Sequence, residues 1–144
     1  MKLADKGPMA PPPVLSAYPQ MVSAAIQQWK YIIAVAHWDL NDEIRIDGAD
    51  FYVGKEELGH IHLDGSVHLA TVKELRVPLV NQKLAEKFPY GGTYDGWVLF
   101  NITTEADAVQ AIWLFKLNYQ RLTGVAIKEL IDTITKRSIE PNIL

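Results

Sequence analysis

The 144-residue chain contains no cysteine. This absence excludes disulfide bonds, catalysis by a thiol, and zinc or iron–sulfur sites with cysteine ligands. It is also typical of proteins that work in a reducing compartment.

Long apolar runs and an excess of basic residues are absent as well. No apolar stretch approaches the ~18 residues of a membrane span, and the N-terminal sequence MKLADKGPMAPPP lacks the apolar core of a signal peptide. The net charge of -3 gives no electrostatic footprint for nucleic acid or an anionic membrane. We therefore expect a cytoplasmic protein with no nucleic-acid or membrane partner.

The composition is that of one globular domain, with 49% hydrophobic and 22% charged residues. Residues 1–15 form a proline-rich arm, which we expect to be a loose leader on the surface. Residues 16–123 are predicted to form a single α+β domain, and residues 124–144 a C-terminal helical extension packed on the same domain.

The first half of the chain reads as one helix followed by short strands. Apolar residues recur at helical spacing from Tyr18 to Trp29, with Pro19 in the first turn of the predicted helix. Apolar or alternating segments then predict strands at 31–38, 43–47 and 51–53, with Asp47-Gly48 as a turn between the last two. Consecutive short strands with tight turns favour an antiparallel meander.

Three helices are predicted in the second half. Thr71 and Glu74 have the spacing of a capping box at the start of a helix with apolar positions as far as Phe88. Pro78 should kink or split that helix. A strand at 97–102 is followed by a long helix capped by Thr104 and Asp107 and by a final helix at about 125–136.

The fold class predicted from these elements is α+β, with a single antiparallel sheet of about five strands and helices packed on one face. The long helix at 104–122 carries more apolar surface than one core stripe needs, because Trp113, Leu114 and Leu117 widen the stripe. We therefore expect a homodimer that uses this helix or the C-terminal helix.

Three of the chain's four histidines lie in GHIHLDGSVH, residues 59–68. A two-residue turn at Asp64-Gly65 would pair Ile61 with His68 and mix apolar and polar side chains on both faces. A three-residue loop that ends at Gly65 pairs His60 with His68 and separates the two kinds of side chain. We predict the second register, since this loop also requires a positive φ at its last residue, where glycine is favoured.

In that register the histidines form a candidate metal site. The imidazoles of His60, His62 and His68 share one face and can hold a divalent ion such as zinc, with a water in the open position. Glu56 or Glu57 could orient the rings by hydrogen bonding to them. The alternative is an amphipathic hairpin whose polar face carries histidines without any ion.

The segment FYVGKEELGHIHLDG, a capped helix, and then DGWVLFNITTEADAVQAIWLFKLNYQRL together resemble the family of luciferase-like domains. The resemblance covers about half of the chain, and the GHIH and GWV pieces are the more specific parts of it. Much of that family is described as being of unknown function, so the resemblance implies a fold and the position of Gly59, His60 and His62, but no reaction. The layout also resembles the YjbR-type and TfoX N-terminal-type α+β domains, in architecture only.

The sequence therefore predicts a small domain that binds a ligand or a partner, without naming either. One alternative is a small enzyme that uses the histidine face with a metal ion or by acid–base chemistry. Another is a purely structural homodimer.

Overall fold

The computed structural model describes residues 2–39, 41 and 44–139. Within them the chain forms four α-helices and one sheet. The helices are α1 (Ala17–Gln27), α2 (Lys73–Asn81), α3 (Glu105–Leu122) and α4 (Ile127–Ile139). The strands are β1 (Ile32–Trp38), β2 (Ile46–Val53), β3 (Glu56–His62), β4 (Ser66–Leu69), β5 (Glu86–Lys87) and β6 (Val98–Asn101).

The six strands form one antiparallel sheet in the order β1-β2-β3-β4-β6-β5. The predicted α+β class is confirmed, and the first four strands make the expected meander. The additional strand is β5, which has two residues. It pairs with β6 in a segment that the sequence assigned to the end of the second helix.

The turn predicted at Asp47-Gly48 is wrong, because both residues lie inside β2. The register between β1 and β2 shifts here, so that Ala36 pairs with Ala49 and Trp38 with Ile46. Gly48 has a φ of 141°, which a side chain rarely allows. The Asp-Gly pair therefore makes a bulge in a long strand rather than a link between two short ones.

The predicted capping box of α2 is also wrong. The residue at the N-cap is Val72, and the buried hydroxyl of Thr71 has no hydrogen-bond partner among the described residues. The helix contains Pro78 but stops at Asn81. Lys83 then adopts a φ of 61°, and the Leu84 amide bonds to the Leu79 carbonyl at 2.9 Å. The left-handed conformation of Lys83 and this hydrogen bond end α2 before it reaches Phe88.

The main core lies between the sheet and the helices. Phe51 of β2 meets Phe115 of α3 with ring centroids 5.8 Å apart, and Ile61 and Val67 contribute the same face of the hairpin. The predicted cap of α3 is confirmed, since Thr104 and Asp107 form a reciprocal capping box. Side-chain alternation consequently points the histidines of β3 and β4 to the opposite face of the sheet.

The wide apolar stripe of α3 is covered within the chain. Leu114 and Leu117 are buried in the main core, and the Arg137 guanidinium of α4 lies 5.1 Å from the Trp113 ring. The helix therefore does not need a second chain to bury this surface. The homodimer stays a prediction, which the solution mass of the protein would test.

The N-terminal arm is bound to the sheet, so the expectation of a loose leader is wrong. The Leu3 amide bonds to the Lys55 carbonyl at 2.8 Å, and the Pro8 carbonyl accepts from the Trp38 indole at 2.9 Å. The Ala36 amide at the free edge of β1 donates to the Ala10 carbonyl at 2.8 Å. The arm thus crosses the histidine face before it turns around β1. None of the described helices has the length and apolar character that would let it cross a membrane.

Candidate functional site

The four histidines meet on the face of the sheet that the helices leave uncovered. His60 pairs directly with His68 across β3 and β4, and Asp50 of β2 pairs with His60 on the other side. The predicted three-residue loop is confirmed, because β3 ends at His62, β4 begins at Ser66, and Gly65 has a φ of 88°. Directly opposed residues share a face, which is why the polar side chains form a row.

His37 of β1 is the fourth member of the cluster. Its ring stacks on His60 with centroids 4.1 Å apart and an interplanar angle of 13°, and lies 4.8 Å from His62 edge to face. The sequence gives only a weak indication of this position: His37 lies two residues after Val35, so their side chains point to the same face of β1. The pairing of Val35 with Asp50 is needed to show that this is the face of the other histidines.

Each of three histidines has its Nδ1 atom against a carboxylate oxygen. The pairs are His37 with Asp50 at 2.6 Å, His60 with Glu57 at 2.9 Å and His62 with Asp47 at 2.9 Å. A carboxylate at Nδ1 favours the tautomer with its proton there, so the lone pair is on Nε2. The three carboxylates therefore prepare three Nε2 atoms as acceptors or ligands.

Ring nitrogens of the cluster approach one another closely. Nδ1 of His68 lies 3.0 Å from Nε2 of His60 and 3.2 Å from Nε2 of His62. One ring nitrogen from each of His37, His60 and His62 also lies within 4.8 Å of the others. His60 and His62 belong to both groupings.

Two β-bulges turn the side chains of Asp47 and Glu57 toward this face. Residues three apart on a regular strand point to opposite faces, yet Glu57 and His60 touch. They do so because the register shifts between Phe51, which pairs with Gly59, and Tyr52, which pairs with Glu57. The bulge at Gly48 does the same for Asp47 in β2.

Asn118 of α3 stabilises the bulge of β3 from the helix side. Its buried amide donates to the carbonyls of Leu58, at 2.9 Å, and Ala70, at 3.0 Å. Its oxygen accepts from Arg121 at 2.8 Å. The Leu58 carbonyl, which also accepts from the Ala70 amide at 3.1 Å, is thus held from both the neighbouring strand and α3.

Residues 55–118 match the Luciferase domain family. The resemblance predicted from the sequence is confirmed over this part of the chain, which we call the luciferase-like segment. No curated protein and no solved structure matches the chain. The architectural resemblance to YjbR-type and TfoX N-terminal-type domains stays a prediction.

The luciferase-like segment supplies only part of the cluster. Its range includes Glu57, His60, His62, His68 and Asn118. The remaining groups precede the segment on β1, β2 and the N-terminal arm, and they are His37, Asp47, Asp50 and Lys6.

The cluster is covered on two sides. Lys6 of the arm donates from its ammonium group to Asp50, and both side chains are almost fully buried, with 4% and 5% exposed. On the other side, Phe88 packs against His68 with centroids 4.7 Å apart, and Trp97 lies 6.0 Å from His60. His62 and Asp47 are more open, with 18% and 32% of their side chains exposed. Solvent or a ligand would therefore reach the cluster at His62.

Burial determines the protonation state of His60 and His68. Desolvation lowers the pKa of His60 well below its ordinary range, and the neighbouring His37 lowers it further. Desolvation and the charge of His60 lower the pKa of His68 to about 3. Both rings are therefore neutral near pH 7, which is the form that binds metals.

The pKa values of the two buried carboxyl groups, Asp50 and Glu57, shift in opposite directions. Burial and the charge of Asp50 raise the pKa of Glu57 to about 7. Burial also pushes the pKa of Asp50 upward, but the hydrogen bond from His37 and the nearby His60 and Lys6 hold it below its ordinary value. Asp50 is the permanent anion beneath the histidines, whereas Glu57 exchanges its proton near neutral pH.

The structure brings together the three histidines that the sequence selected, and it separates the two glutamates. Glu57 contacts His60, whereas Glu56 is about half exposed and lies 3.8 Å from Lys2. His37, Asp47, Asp50 and Lys6 were missed because they come from other strands and from the arm. Whether these residues bind a metal stays a prediction.

Proposed function

We propose that the histidine cluster binds one divalent transition metal ion, with zinc as the best chemical match. The domain is then a metal-binding module whose ion takes a small ligand on the side of His62. The ligand atoms we assign are one ring nitrogen from each of His37, His60 and His62, which lie within 4.8 Å of one another. His68 is the next candidate for a ligand, because its Nδ1 lies 3.0 Å from Nε2 of His60 and 3.2 Å from Nε2 of His62.

The observation that carries this proposal is the set of three histidine–carboxylate pairs. Histidines that bind metals in proteins almost always donate their other ring N–H to a carboxylate, a carbonyl or water, which fixes the ring and raises its basicity. Here His37, His60 and His62 each have a carboxylate at Nδ1. One such pair is common in proteins, but three pairs whose histidines each bring a ring nitrogen within 4.8 Å of the others support a shared ligand.

The two separations that involve His68 fit the spacing of neighbouring ligands on one metal ion. Two nitrogens at 2.0–2.1 Å from a tetrahedral zinc ion lie about 3.3 Å from each other. The two separations at His68 are 3.0 and 3.2 Å. Hydrogen bonds alone explain these two short separations less well. Nδ1 of His68 carries either one proton or one lone pair, so it can form one good hydrogen bond rather than two.

Zinc titration tests the proposal. We expect the untagged protein to bind about one equivalent of zinc with micromolar or tighter affinity near pH 7.5, and His62→Ala to lose this binding. Isothermal titration calorimetry measures both, and circular dichroism confirms that the variant is folded. Absence of binding heat with zinc and with nickel would contradict the proposal.

The neighbouring glutamates provide a matched pair of variants. Glu57→Gln should weaken zinc binding by about 10–100-fold, because it removes the carboxylate that orients His60. Glu56→Gln should leave the affinity unchanged, since Glu56 contacts Lys2 rather than a histidine. Competition of each variant with a chromophoric chelator gives the ratio of the two affinities. Equal affinities would show that Glu57 has no part in the site.

Acid–base chemistry by His62 is the second candidate function. His62 has Asp47 at Nδ1 and is the most accessible of the three carboxylate-bound histidines, as a general base requires. Metal content separates the two candidates, because a metal-free acid–base site would work equally well after treatment with a chelator.

A further inference from the structure

We infer that Asp50, Glu57 and the Nδ1 atom of His60 form a second cation site, which the ammonium group of Lys6 fills when the N-terminal arm lies on the sheet. The second site rests partly on the metal site proposed above, since the two share His60, and Asp50 and Glu57 are also the carboxylates at Nδ1 of His37 and His60. Lys6 belongs to the second site, so its substitution tests that site separately.

The donor set is compact and buried. One ligand atom from each of the three residues lies within 4.8 Å of the others. Nδ1 of His60 is 2.9 Å from a Glu57 oxygen and 3.8 Å from an Asp50 oxygen. Two carboxylates and one imidazole suit manganese, iron or zinc.

Tyr52 gives an independent indication that this pocket takes a further group. Its side chain is fully buried, and its hydroxyl has no hydrogen-bond partner among the described residues. Tyr52 pairs with Glu57 and lies two residues from Asp50, on the same face of β2. A buried hydroxyl normally finds a partner, so one at the edge of this pocket points to a bound ion or an ion-bound water.

Lys6 shows which charge the pocket accepts. Its ammonium group bonds to Asp50 and is almost completely removed from solvent. Burying an ammonium group is costly unless an anion pairs with it, so Asp50 fixes this part of the arm to the sheet. A divalent ion at the same carboxylates would repel Lys6, and the arm and the ion therefore compete.

Metal binding at the second site should release protons from His60 and Glu57. Neutral His60 has one N–H, so binding of a metal at both ring nitrogens releases that proton to solvent and leaves a bridging imidazolate. Glu57 releases its proton as well when it becomes a ligand.

Removal of the Lys6 charge tests the inference. At a free zinc concentration just sufficient to fill the first site, the full-length Lys6→Met variant should bind about two equivalents of zinc, against about one for the wild type. The double variant Lys6→Met with Asp50→Asn should lose the additional equivalent. Dialysis equilibrium with metal analysis counts the ions, and circular dichroism confirms folding. A folded Lys6→Met protein with the same stoichiometry as the wild type would overturn the inference.

The wild type supplies a second measurement if Lys6→Met fails to fold. Excess zinc or manganese should displace the arm and speed tryptic cleavage after Lys6 by at least ~10-fold, as expected for a larger open population. Calcium, which favours six to eight oxygen ligands, is the control ion. An unchanged cleavage rate in excess metal would count against the second site. If the wild type binds no ion but Lys6→Met binds one that Asp50→Asn removes, the first site fails and the second stands.

Discussion

Replacing Gly48 with alanine should destabilise the protein by about 3 kcal/mol or more and disrupt the histidine cluster. A Cβ atom at this position would lie 2.0 Å from the Ile61 carbonyl oxygen and 2.8 Å from the His62 Cα. Both are backbone atoms of the next strand and cannot move aside as a flexible side chain does. The φ of 141° adds strain of its own. Urea unfolding followed by circular dichroism measures the loss.

Gly54 offers a matched control in the same part of the sheet. It also has a positive φ, 59°, but a Cβ atom there meets nothing within 4 Å. Gly54→Ala should therefore cost only about 1 kcal/mol, the penalty of the left-handed backbone itself. If the two variants are equally stable, the close strand contact at the Gly48 bulge is not what holds Asp47 toward His62.

Acid should destabilise the metal-free protein strongly. The folded-state pKa values of His60 and His68 lie below the ordinary 6.5, and that of His68 is about 3. Between these values the unfolded chain binds more protons than the folded chain, so stability falls as the pH falls. Each such histidine contributes a slope of up to ~1.4 kcal/mol per pH unit.

Glu57 opposes this trend over part of the range. Its pKa is raised from 4.5 to about 7, so between these values the folded chain binds the extra proton and gains stability as the pH falls. The net loss of stability should consequently be shallow from about pH 6.5 to 4.5 and steeper below that. Asp50, whose pKa is lowered, adds to the loss below its ordinary value of 3.8.

Urea unfolding at a series of pH values, with a chelator present, checks this profile. Glu57→Gln should steepen the loss between about pH 6.5 and 4.5, because it removes the opposing group. Stability that stays constant from pH 7 to 4 would show that the histidines are not buried in their neutral form.

Local sequence patterns predicted the structure correctly where neighbouring residues alone determine it. The histidine register followed from the separation of apolar and polar faces together with Gly65, and the start of α3 followed from Thr104 and Asp107. The bulges could not be predicted in this way. Asp47-Gly48 has the sequence of a turn, and only the pairing of β2 with β1 and β3 shows that the strand continues through it.

The candidate site was predicted only where it is contiguous in sequence. His60, His62 and His68 lie on one hairpin, whose geometry is local. His37 and Asp50 reach the cluster through pairing of β1 with β2 and β3, and Lys6 through the path of the arm, 44 positions from its partner. Which face of the sheet a side chain occupies depends on the register between strands, and the sequence does not give that register for distant strands. No residue in the arm indicates where the arm will cross the sheet.

X-ray absorption spectroscopy of the zinc-loaded wild type shows whether the histidines of the cluster hold the ion. We expect about one zinc ion per chain, with at least three imidazole nitrogens at ~2.0–2.1 Å and the outer-ring scattering typical of histidine. A shell of oxygen atoms without imidazole scattering would contradict this assignment.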